Sequence, residues 1–335
     1  MTTTTSELQL TTLQNDLIRY LADGNFHSGQ QLGDAVGVSR SAVWKALQGL
    51  EPLGLDIQAV SGRGYRLAGR LELLARDAVL AELSRHSRAL LNELMLFSLL
   101  DSTNAHLMRY SSEGHGHACL AEFQSAGRGR RGRQWISPFG SNIYISLRWR
   151  FDEGMAALSG LSLAAAVAVL HALRDVGIDD AGVKWPNDIY WQGRKLAGIL
   201  LEVAGESAGP CHVVIGLGVN VSMPATAAEH IDQPWVDIRS IHEGVSRNRL
   251  AGRLLHHMLL GVAEFQQWGL APFVDEWCRA DILSGQALRL LLPNEERCGV
   301  GRGIDPQGAL LLEVDGALQR YTYGEVSLRL LETSA

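Results

Sequence analysis

The sequence predicts an α+β protein in three parts, because helical and strand-like patterns segregate along its 335 residues. Residues 1–70 carry short amphipathic helical patterns, whereas residues 281–335 consist almost entirely of short strand-like runs. Between them, several strand-like runs follow one another with few helices in between. That order excludes the regular strand–helix alternation of a parallel doubly wound sheet, and it favours a mixed or antiparallel sheet.

The composition limits the class of protein. With 46% hydrophobic and 20% charged residues, the chain resembles an ordinary globular protein. The nearest candidate for a membrane span, residues 158–173, is interrupted by serine, glycine and histidine, so it predicts a buried helix, and no membrane partner is expected. The N-terminus lacks the pattern of a secretory signal, and the four cysteines lack a metal-binding spacing. These features predict a cytoplasmic protein.

Residues 1–70 have the pattern of a winged helix-turn-helix. Apolar residues recur at helical spacing over 6–21, a second helix is predicted over 28–36, and Ser39 is the expected N-cap of a third. An alternating run over 55–60, a glycine-containing turn and residues 65–67 then predict a hairpin, the wing. Over residues 40–70, five cationic and two anionic residues leave a net charge of +3, which suits contacts to nucleic-acid phosphates.

The third helix is the predicted DNA-recognition helix. Its polar face and the wing supply the candidate DNA contacts, which are Arg40, Ser41, Trp44, Lys45, Gln48 and Arg63. The alternative is a winged-helix fold used only for packing or dimerisation. Separately, Trp44 either contacts DNA or is partly buried against the wing. Because the whole chain has a net charge of −6, only a local basic patch could attract DNA.

A helical linker over 71–84 and a central domain over 85–280 are predicted next. Within this stretch, strands are expected at 94–99, 118–123, 142–149, 183, 189–190, 196–203 and 212–221, and helices at 103–109, 158–176 and 250–269. Residues 281–335 contain five strand-like runs separated by turns, which predict a small SH3-like β-barrel.

The strongest candidate site is the run GRGRRGR over 127–133. It formally matches the GxGxxG dinucleotide fingerprint, but Pro138 and Gly140 prevent the helix that this fingerprint requires, so that interpretation is rejected. Four arginines among flexible glycines instead predict an anion clamp for a phosphate or an adenylate. The alternative is a solvated basic loop or a nucleic-acid-binding patch.

Three further motifs carry polar groups that could meet a ligand. Lys195 opens an apolar strand, where it could neutralise a carboxylate or a phosphate, or simply be solvated. Asn187 and Asp188 offer oxygen atoms suited to Mg²⁺, or they form a turn after Pro186. The segment DSTN over 101–104 either caps the next helix or binds a polar ligand group there.

Together these motifs resemble one family. The segments DSTN, GRGRRG, KWPND, RKLAGIL and GLGVN have an order and spacing similar to those of bifunctional biotin–protein ligases and biotin-operon repressors of the BirA type. The resemblance covers nearly the whole chain, and GRGRRG together with KWPND is highly specific. It implies a central domain with the antiparallel-sheet core of class II aminoacyl-tRNA synthetases and lipoate ligases.

The resemblance also implies a reaction and its partners. Biotin and MgATP would give biotinoyl-5′-adenylate and pyrophosphate, and a lysine of a biotin carboxyl carrier protein domain would then attack the mixed anhydride. With the adenylate bound, two chains would form a homodimer on the two-fold operator DNA of biotin synthesis genes. The ligands implied are therefore biotin, ATP and Mg²⁺.

The same resemblance implies which residues contact the ligands. Those implied to hold the ureido ring and chain of biotin are Ser102, Thr103, Asn104 and Gln124. Those implied to cover its carboxylate and the phosphate are Arg128, Gly129, Arg130 and Arg133. Trp135 would stack on adenine, and Asn220 would contact the adenine edge.

Four residues are implied to be catalytic. Arg130 would keep the reactive adenylate from water, and Lys195 would neutralise negative charge as the biotin carboxylate meets the α-phosphate. Asp188, the expected metal contact, would help Lys184 to place Mg²⁺ and pyrophosphate. No protein nucleophile is needed, because the attacking amine belongs to the acceptor.

Two other functions stay open at this point. One is a transcription regulator that senses an adenylate without forming it, which the intact GRGRRG motif and Lys195 disfavour. The other is a related acyl-adenylate ligase acting on lipoate or an amino acid, which the KWPND and GRKLAGIL segments disfavour.

Overall fold

The computed structural model describes residues 10–112, 114–205, 209–292 and 295–322, and the backbone of 327–330. Its helices are α1 (Thr12–Leu21), α2 (Gly29–Val36), α3 (Arg40–Gln48), α4 (Arg76–Ala81), α5 (Arg85–Leu90), α6 (Thr103–Arg109), α7 (Leu161–Arg174), α8 (Ala225–Ala228), α9 (Ile238–Ile241), α10 (Arg247–Trp268) and α11 (Val274–Ala280). Its strands are β1 (Ile57–Val60), β2 (Gly64–Leu67), β3 (Glu93–Leu100), β4 (His117–Gln124), β5 (Ile143–Phe151), β6 (Gly182–Lys184), β7 (Asp188–Trp191), β8 (Arg194–Gly205), β9 (Cys211–Val219), β10 (Ala287–Leu291), β11 (Glu296–Ile304), β12 (Leu310–Val314), β13 (Ala317–Tyr321) and β14 (Ser327–Leu330).

The N-terminal unit consists of three helices and a two-stranded wing, as the sequence predicts. Ser39 caps α3 as expected, because its hydroxyl accepts the backbone N–H of Ala42. Strands β1 and β2 pair antiparallel to form the wing. The first helix begins at Thr12, and the start of the predicted 6–21 helix, residues 6–9, lies outside the described residues. Leucines and valines from all three helices form a separate small core.

The predicted linker helix over 71–84 is wrong for residues 71–75 and 82–84, since α4 spans only Arg76–Ala81. Residues 71–75 are held against the central domain instead. The carboxylate of Glu72 accepts the backbone N–H groups of Arg247 and Asn248, at 2.7 and 3.1 Å. The backbone N–H of Leu74 donates to the buried carboxylate of Glu122. These polar contacts favour an extended strap over a helix, and residues 71–75 are called the strap below.

The central sheet has seven strands in the order β3-β4-β5-β9-β8-β7-β6. Only β3 and β4 pair in parallel, so the prediction of a mixed sheet is confirmed. Helices α7 and α10 pack on one face, and α6 packs on the other. Among the described residues, Met155–Arg174 is the one stretch long and apolar enough to span a membrane, and it is 72% buried in this core. The predicted buried helix is therefore present.

The C-terminal part is a five-stranded antiparallel sheet in the order β13-β12-β11-β10-β14. In the described residues β13 and β14 are the outer strands, and no pairing between them closes the sheet. Its β11–β12 turn contacts the central domain, where Trp185 Nε1 donates to the backbone oxygen of Gly308 at 3.1 Å. This contact connects the KWPND segment to the C-terminal sheet.

Candidate functional site

One cavity of about 500 Å³ lies at the central sheet beside the glycine-rich loop. All of the ligand-binding and catalytic residues predicted from the sequence line it, namely Ser102, Thr103, Asn104, Gln124, Arg128, Gly129, Arg130, Arg133, Trp135, Lys184, Asp188, Lys195 and Asn220. They come from segments that are far apart in the sequence. The fold therefore brings together the residues that the motifs single out.

The cavity carries positive charge. Its lining contains four arginines and two lysines against two aspartates. Arginine and lysine are the side chains that bind phosphate groups most strongly, through charge-assisted hydrogen bonds. An anion that carries several charges, such as a nucleoside triphosphate, would match this lining.

Hydrogen bonds fix the wall formed by the start of α6 and the end of β4. Ser102 caps α6, since its hydroxyl accepts the backbone N–H of Ala105 at 3.4 Å. Gln124 Oε1 accepts the backbone N–H of Thr103 at 2.8 Å, and Gln124 Nε2 donates to Ser137 Oγ at 3.1 Å. The capping role of Ser102 is thus present, and the same buried polar wall faces the cavity.

Lys195 and Asp188 form an ion pair across β7 and β8, with Nζ 2.9 Å from Oδ1. Both side chains are largely buried, at 13% and 23% exposure, so solvent screens them only in part. Lys195 Nζ also lies 5.5 Å from the centre of the Trp135 ring, within the range of a cation–π contact. The lysine is held in place by its neighbours and is not simply solvated.

The donor set at Asp188 limits what metal this site could hold. Within the described part of the chain, no group of three or more histidine, cysteine, aspartate or glutamate side chains could bind a metal ion. Mg²⁺ often uses only one or two protein carboxylates when substrate phosphates and water supply its other oxygen ligands. Asp188 therefore fits an ion that arrives with a nucleotide, rather than a resident metal.

Trp135 lies flat against two glycines that face each other on β8 and β9. A Cβ atom at Gly218 would come within 2.4 Å of the indole ring, and one at Gly198 within 3.1 Å, so only glycine leaves room for this ring. The indole Nε1 is buried and has no hydrogen-bond partner among the described residues. Trp135 thus forms one wall of the cavity with a free donor.

The glycine-rich loop and the KWPND segment meet at Arg130, whose Nη1 donates to Asn187 Oδ1 at 3.2 Å. On the same side, Lys184 Nζ donates to the Tyr190 hydroxyl at 3.4 Å. Burial, reinforced by the charge of Asp188, raises the pKa of Tyr190 to about 12. The phenol therefore stays protonated, and its oxygen accepts the hydrogen bond from Lys184.

Sequence reasoning missed the wall formed by residues 230–235. This segment is attached to β8, since the backbone N–H of Lys195 donates to the Pro234 oxygen at 2.9 Å. Asn220 adds a second attachment, because its Nδ2 donates to the backbone oxygens of Lys195 and Val236. Both amide protons of Asn220 are thus engaged, which leaves its Oδ1 for any ligand. No motif or charge run marks residues 230–235 in the sequence.

The predicted DNA-contacting residues form one exposed surface of the N-terminal unit. Arg40, Ser41, Trp44, Lys45 and Gln48 are exposed on α3. Trp44 is 55% exposed, and whether it contacts DNA or packs against the wing stays open. Arg63, also exposed, extends over the Phe26 ring at 4.1 Å.

Family models match all three parts of the chain. The helix-turn-helix model matches residues 13–66, the biotin/lipoate A/B protein ligase family model matches residues 86–220, and the biotin protein ligase C-terminal domain model matches residues 283–329. These matches define the class, a biotin/lipoate-type ligase domain that follows a helix-turn-helix.

Whole-chain relatives specify the family further. The "Bifunctional ligase/repressor BirA" of Salmonella typhimurium is 42% identical, covering 96% of this chain and 99% of the relative. Its Escherichia coli counterpart is also 42% identical, covering 94% and 97%. This chain belongs to the family of bifunctional ligase/repressors BirA. A solved structure of the Aquifex aeolicus biotin protein ligase in complex with biotin and ATP shares its fold, with a TM-score of 0.62 and 24% identity over 72% of this chain and 100% of that one.

Proposed function

We propose that this protein uses ATP to ligate biotin to a lysine of a biotin carboxyl carrier protein domain, and that it represses biotin synthesis genes. The observation that carries the ligase proposal is the convergence of the DSTN, GRGRRG, KWPND, RKLAGIL and GLGVN segments on one cationic cavity. The family to which the chain belongs supports both activities.

In the first step, an oxygen of the biotin carboxylate attacks the α-phosphorus of ATP. An oxygen–phosphorus bond forms, the bond to the β-phosphate oxygen breaks, and pyrophosphate leaves. Two anions must approach each other in this step, so a fixed cation between them lowers the barrier. Lys195, which Asp188 and Trp135 hold in place, is suited to that role.

In the second step, the acceptor amine attacks the biotinoyl carbonyl carbon, and AMP leaves with the electrons of the broken carbon–oxygen bond. The protein must keep water away from the mixed anhydride until the amine arrives. Arg130 donates a hydrogen bond to the Asn187 side chain. In this proposal it holds the glycine-rich loop over the phosphate. Asp188, together with Lys184, would help to place Mg²⁺ and pyrophosphate. The metal ion would neutralise charge on the phosphate groups.

The repressor function would use α3 and the wing. In this proposal the adenylate-bound chain forms a homodimer, and the two exposed recognition helices enter successive major grooves of a two-fold operator. A gel shift on the promoter of the biotin synthesis genes tests it. Retardation of the DNA that depends on biotin and ATP supports the proposal. Retardation that is equal with and without both ligands contradicts it.

The domain bounds, the fold classes of two domains and the location of the protein are part of the same proposal. The domains would span 1–70, 71–84, 85–280 and 281–335, with a class II synthetase-like core and an SH3-like closed barrel at the C-terminus. The protein would act in the cytoplasm without a membrane partner.

Pyrophosphate exchange distinguishes the ligase from the other two functions. With labelled pyrophosphate, the protein should form labelled ATP only when biotin is present. A regulator that only senses the adenylate would bind biotinoyl-5′-adenylate without exchange. A lipoate-type ligase would exchange with lipoate and not with biotin, and either result would contradict the proposed reaction.

A further inference from the structure

Glu202 on β8 joins two walls of the cavity without lining it. Its Oε2 accepts a hydrogen bond from Asn104 Nδ2 at 2.8 Å and another from Arg128 Nη2 at 2.9 Å. Asn104 belongs to α6, whereas Arg128 belongs to the glycine-rich loop. One carboxylate thus contacts both the expected biotin end of the site and the loop expected to cover the phosphate.

Glu202 and the backbone oxygen of Leu200 determine which way the Asn104 amide points, because both accept hydrogen bonds from Asn104 Nδ2, at 2.8 and 3.3 Å. A carboxylate can only accept hydrogen bonds, so the amide nitrogen must face Glu202 and the amide oxygen must face the other way. There, Asn104 Oδ1 lies 2.6 Å from the Ser146 hydroxyl, which donates to it. The opposite amide orientation would place two acceptors against each other at Glu202.

Close packing leaves the Asn104 side chain little room to move. A Cβ atom at Gly216 would lie 2.1 Å from Asn104 Oδ1, so the amide rests directly on the backbone of β9. Asn104 is 4% exposed. Its orientation therefore depends on the polar groups around it, and Glu202 is the only charged group among its hydrogen-bond partners in the described residues.

The contact with Arg128 has a different character. The Arg128 side chain is 43% exposed and that of Glu202 is 24% exposed, so this ion pair adds little to the stability of the fold. Its effect is to hold one arginine of the loop toward β8. Losing it should free the loop while the protein stays folded.

We propose that Glu202 is a positioning residue that orients Asn104 for biotin and anchors the glycine-rich loop through Arg128. This inference rests on the proposed ligase function. It assigns two separable roles to one carboxylate, and two substitutions separate them.

Glu202→Ala removes both contacts, whereas Glu202→Gln keeps an oxygen for Asn104 Nδ2 and removes the charge that attracts Arg128. In pyrophosphate exchange, we expect Glu202→Ala to raise the KM for biotin about tenfold, the effect of one lost hydrogen bond, and to raise the KM for ATP less, through the freed loop. We expect Glu202→Gln to restore most of the biotin KM.

Trypsin reports on the loop without any ligand, because it cleaves after arginine and the loop contains four of them. Both variants should be cleaved faster than the wild type at Arg128–Arg133. The matched control is Glu313→Gln, which removes a carboxylate paired with Arg302 across β11 and β12. It should change neither the biotin KM nor loop cleavage.

The KM values and the cleavage rates test the two roles of Glu202 separately. An unchanged biotin KM in Glu202→Ala, or an equal rise in both KM values, overturns the orienting role. Unchanged cleavage in Glu202→Gln overturns the anchoring role. If Glu202→Ala does not fold, the biotin KM of Glu202→Gln tests the orienting role. A rise in this KM as large as the rise expected for Glu202→Ala would overturn that role. A wild type that does not exchange with biotin overturns the proposed function and the biotin half of this inference, and cleavage still decides the loop half.

Discussion

At the residue scale, Lys195 is the side chain on which the proposed reaction depends most. It lies in a partly buried ion pair with Asp188 and over the Trp135 ring, so its position is fixed before substrates bind. Preorganised charge of this kind lowers a barrier without reorganisation at the moment of reaction.

We expect Lys195→Ala to fold normally and to form biotinoyl-5′-adenylate about 100-fold more slowly, the usual cost of losing one preorganised donor. Pyrophosphate exchange measures the rate, and circular dichroism verifies the fold. Lys45→Ala, on the DNA-binding helix, is the matched control. An unchanged exchange rate in Lys195→Ala would remove this lysine from the reaction.

His256 provides a pH-dependent contribution to stability. Burial, with smaller effects from the charges of Arg253 and His257, lowers the pKa of His256 to about 4. Its Nδ1 accepts the backbone N–H of Ser84 at 3.4 Å. A proton on Nδ1 would therefore face the amide proton of Ser84. The neutral imidazole therefore suits the folded state.

The sign of the pH effect follows from that pKa. As the pH falls below the ordinary histidine value, the unfolded chain binds a proton that the folded chain does not bind until about pH 4. Stability is full above about pH 6.5 and decreases by up to ~3 kcal/mol as the pH falls to 4. Urea unfolding of His256→Gln should show a flatter pH dependence over this interval. The exposed His86→Gln should retain the wild-type slope, and equal slopes in all three proteins would contradict the account.

At this scale the motifs predicted which residues line the cavity, and the individual roles of these residues stay predictions. Glu202 was missed because nothing near it in the sequence indicates that its partners are Asn104 and Arg128, which lie 98 and 74 residues away. Residues 230–235 were missed because the contacts that attach this segment to the site, made by the Lys195 backbone and the Asn220 side chain, leave no pattern in the sequence.

At the element scale, the strap is the feature that joins the N-terminal unit to the central domain. Arg247 at the start of α10 forms a buried ion pair with Glu122, and their side chains are only 4% and 7% exposed. Arg247 also donates to the backbone oxygens of Glu72 and Asn142. A single guanidinium thus ties together the strap, β4 and the start of β5.

We expect Arg247→Met to lower the free energy of unfolding by about 3–5 kcal/mol, since it leaves the Glu122 carboxylate buried without its cation. Adding Glu122→Leu should recover part of the loss, because an apolar pair needs no charge compensation. Chemical denaturation measures both. A double variant less stable than Arg247→Met alone would contradict this explanation.

Element bounds were predicted best where the signal is local. Helix α6 matches the predicted 103–109 because a capping serine and helical spacing define it. The strap was predicted as helix because its hydrogen-bond partners lie more than 170 residues away, on α10. Helices α5, α8, α9 and α11, which have four to seven residues, were not predicted.

At the scale of the whole molecule, the sequence predicted three parts because composition changes between them, and the family models match all three. The sheet was predicted to be mixed, but its strand order was not predicted, because order depends on long-range pairing. Closure of the C-terminal sheet stays a prediction.

DNA binding should depend on the exposed face of α3. We expect Lys45→Ala to weaken operator binding about equally for specific and nonspecific DNA, and to reduce the salt dependence of log K by about 1, because lysine contacts phosphate. Binding isotherms at several salt concentrations measure this slope. Glu313→Gln, a substitution in the C-terminal sheet, serves as the control that leaves both the DNA surface and the ligand site intact. An unchanged slope in Lys45→Ala would exclude a phosphate contact.

The most direct test of the central claim is the intact mass of a biotin carboxyl carrier fragment after incubation with this protein, biotin and MgATP. The account predicts a mass gain of one biotinyl group, which disappears when the fragment's acceptor lysine is replaced. No mass gain with the folded protein, or a gain that persists without the acceptor lysine, would contradict it.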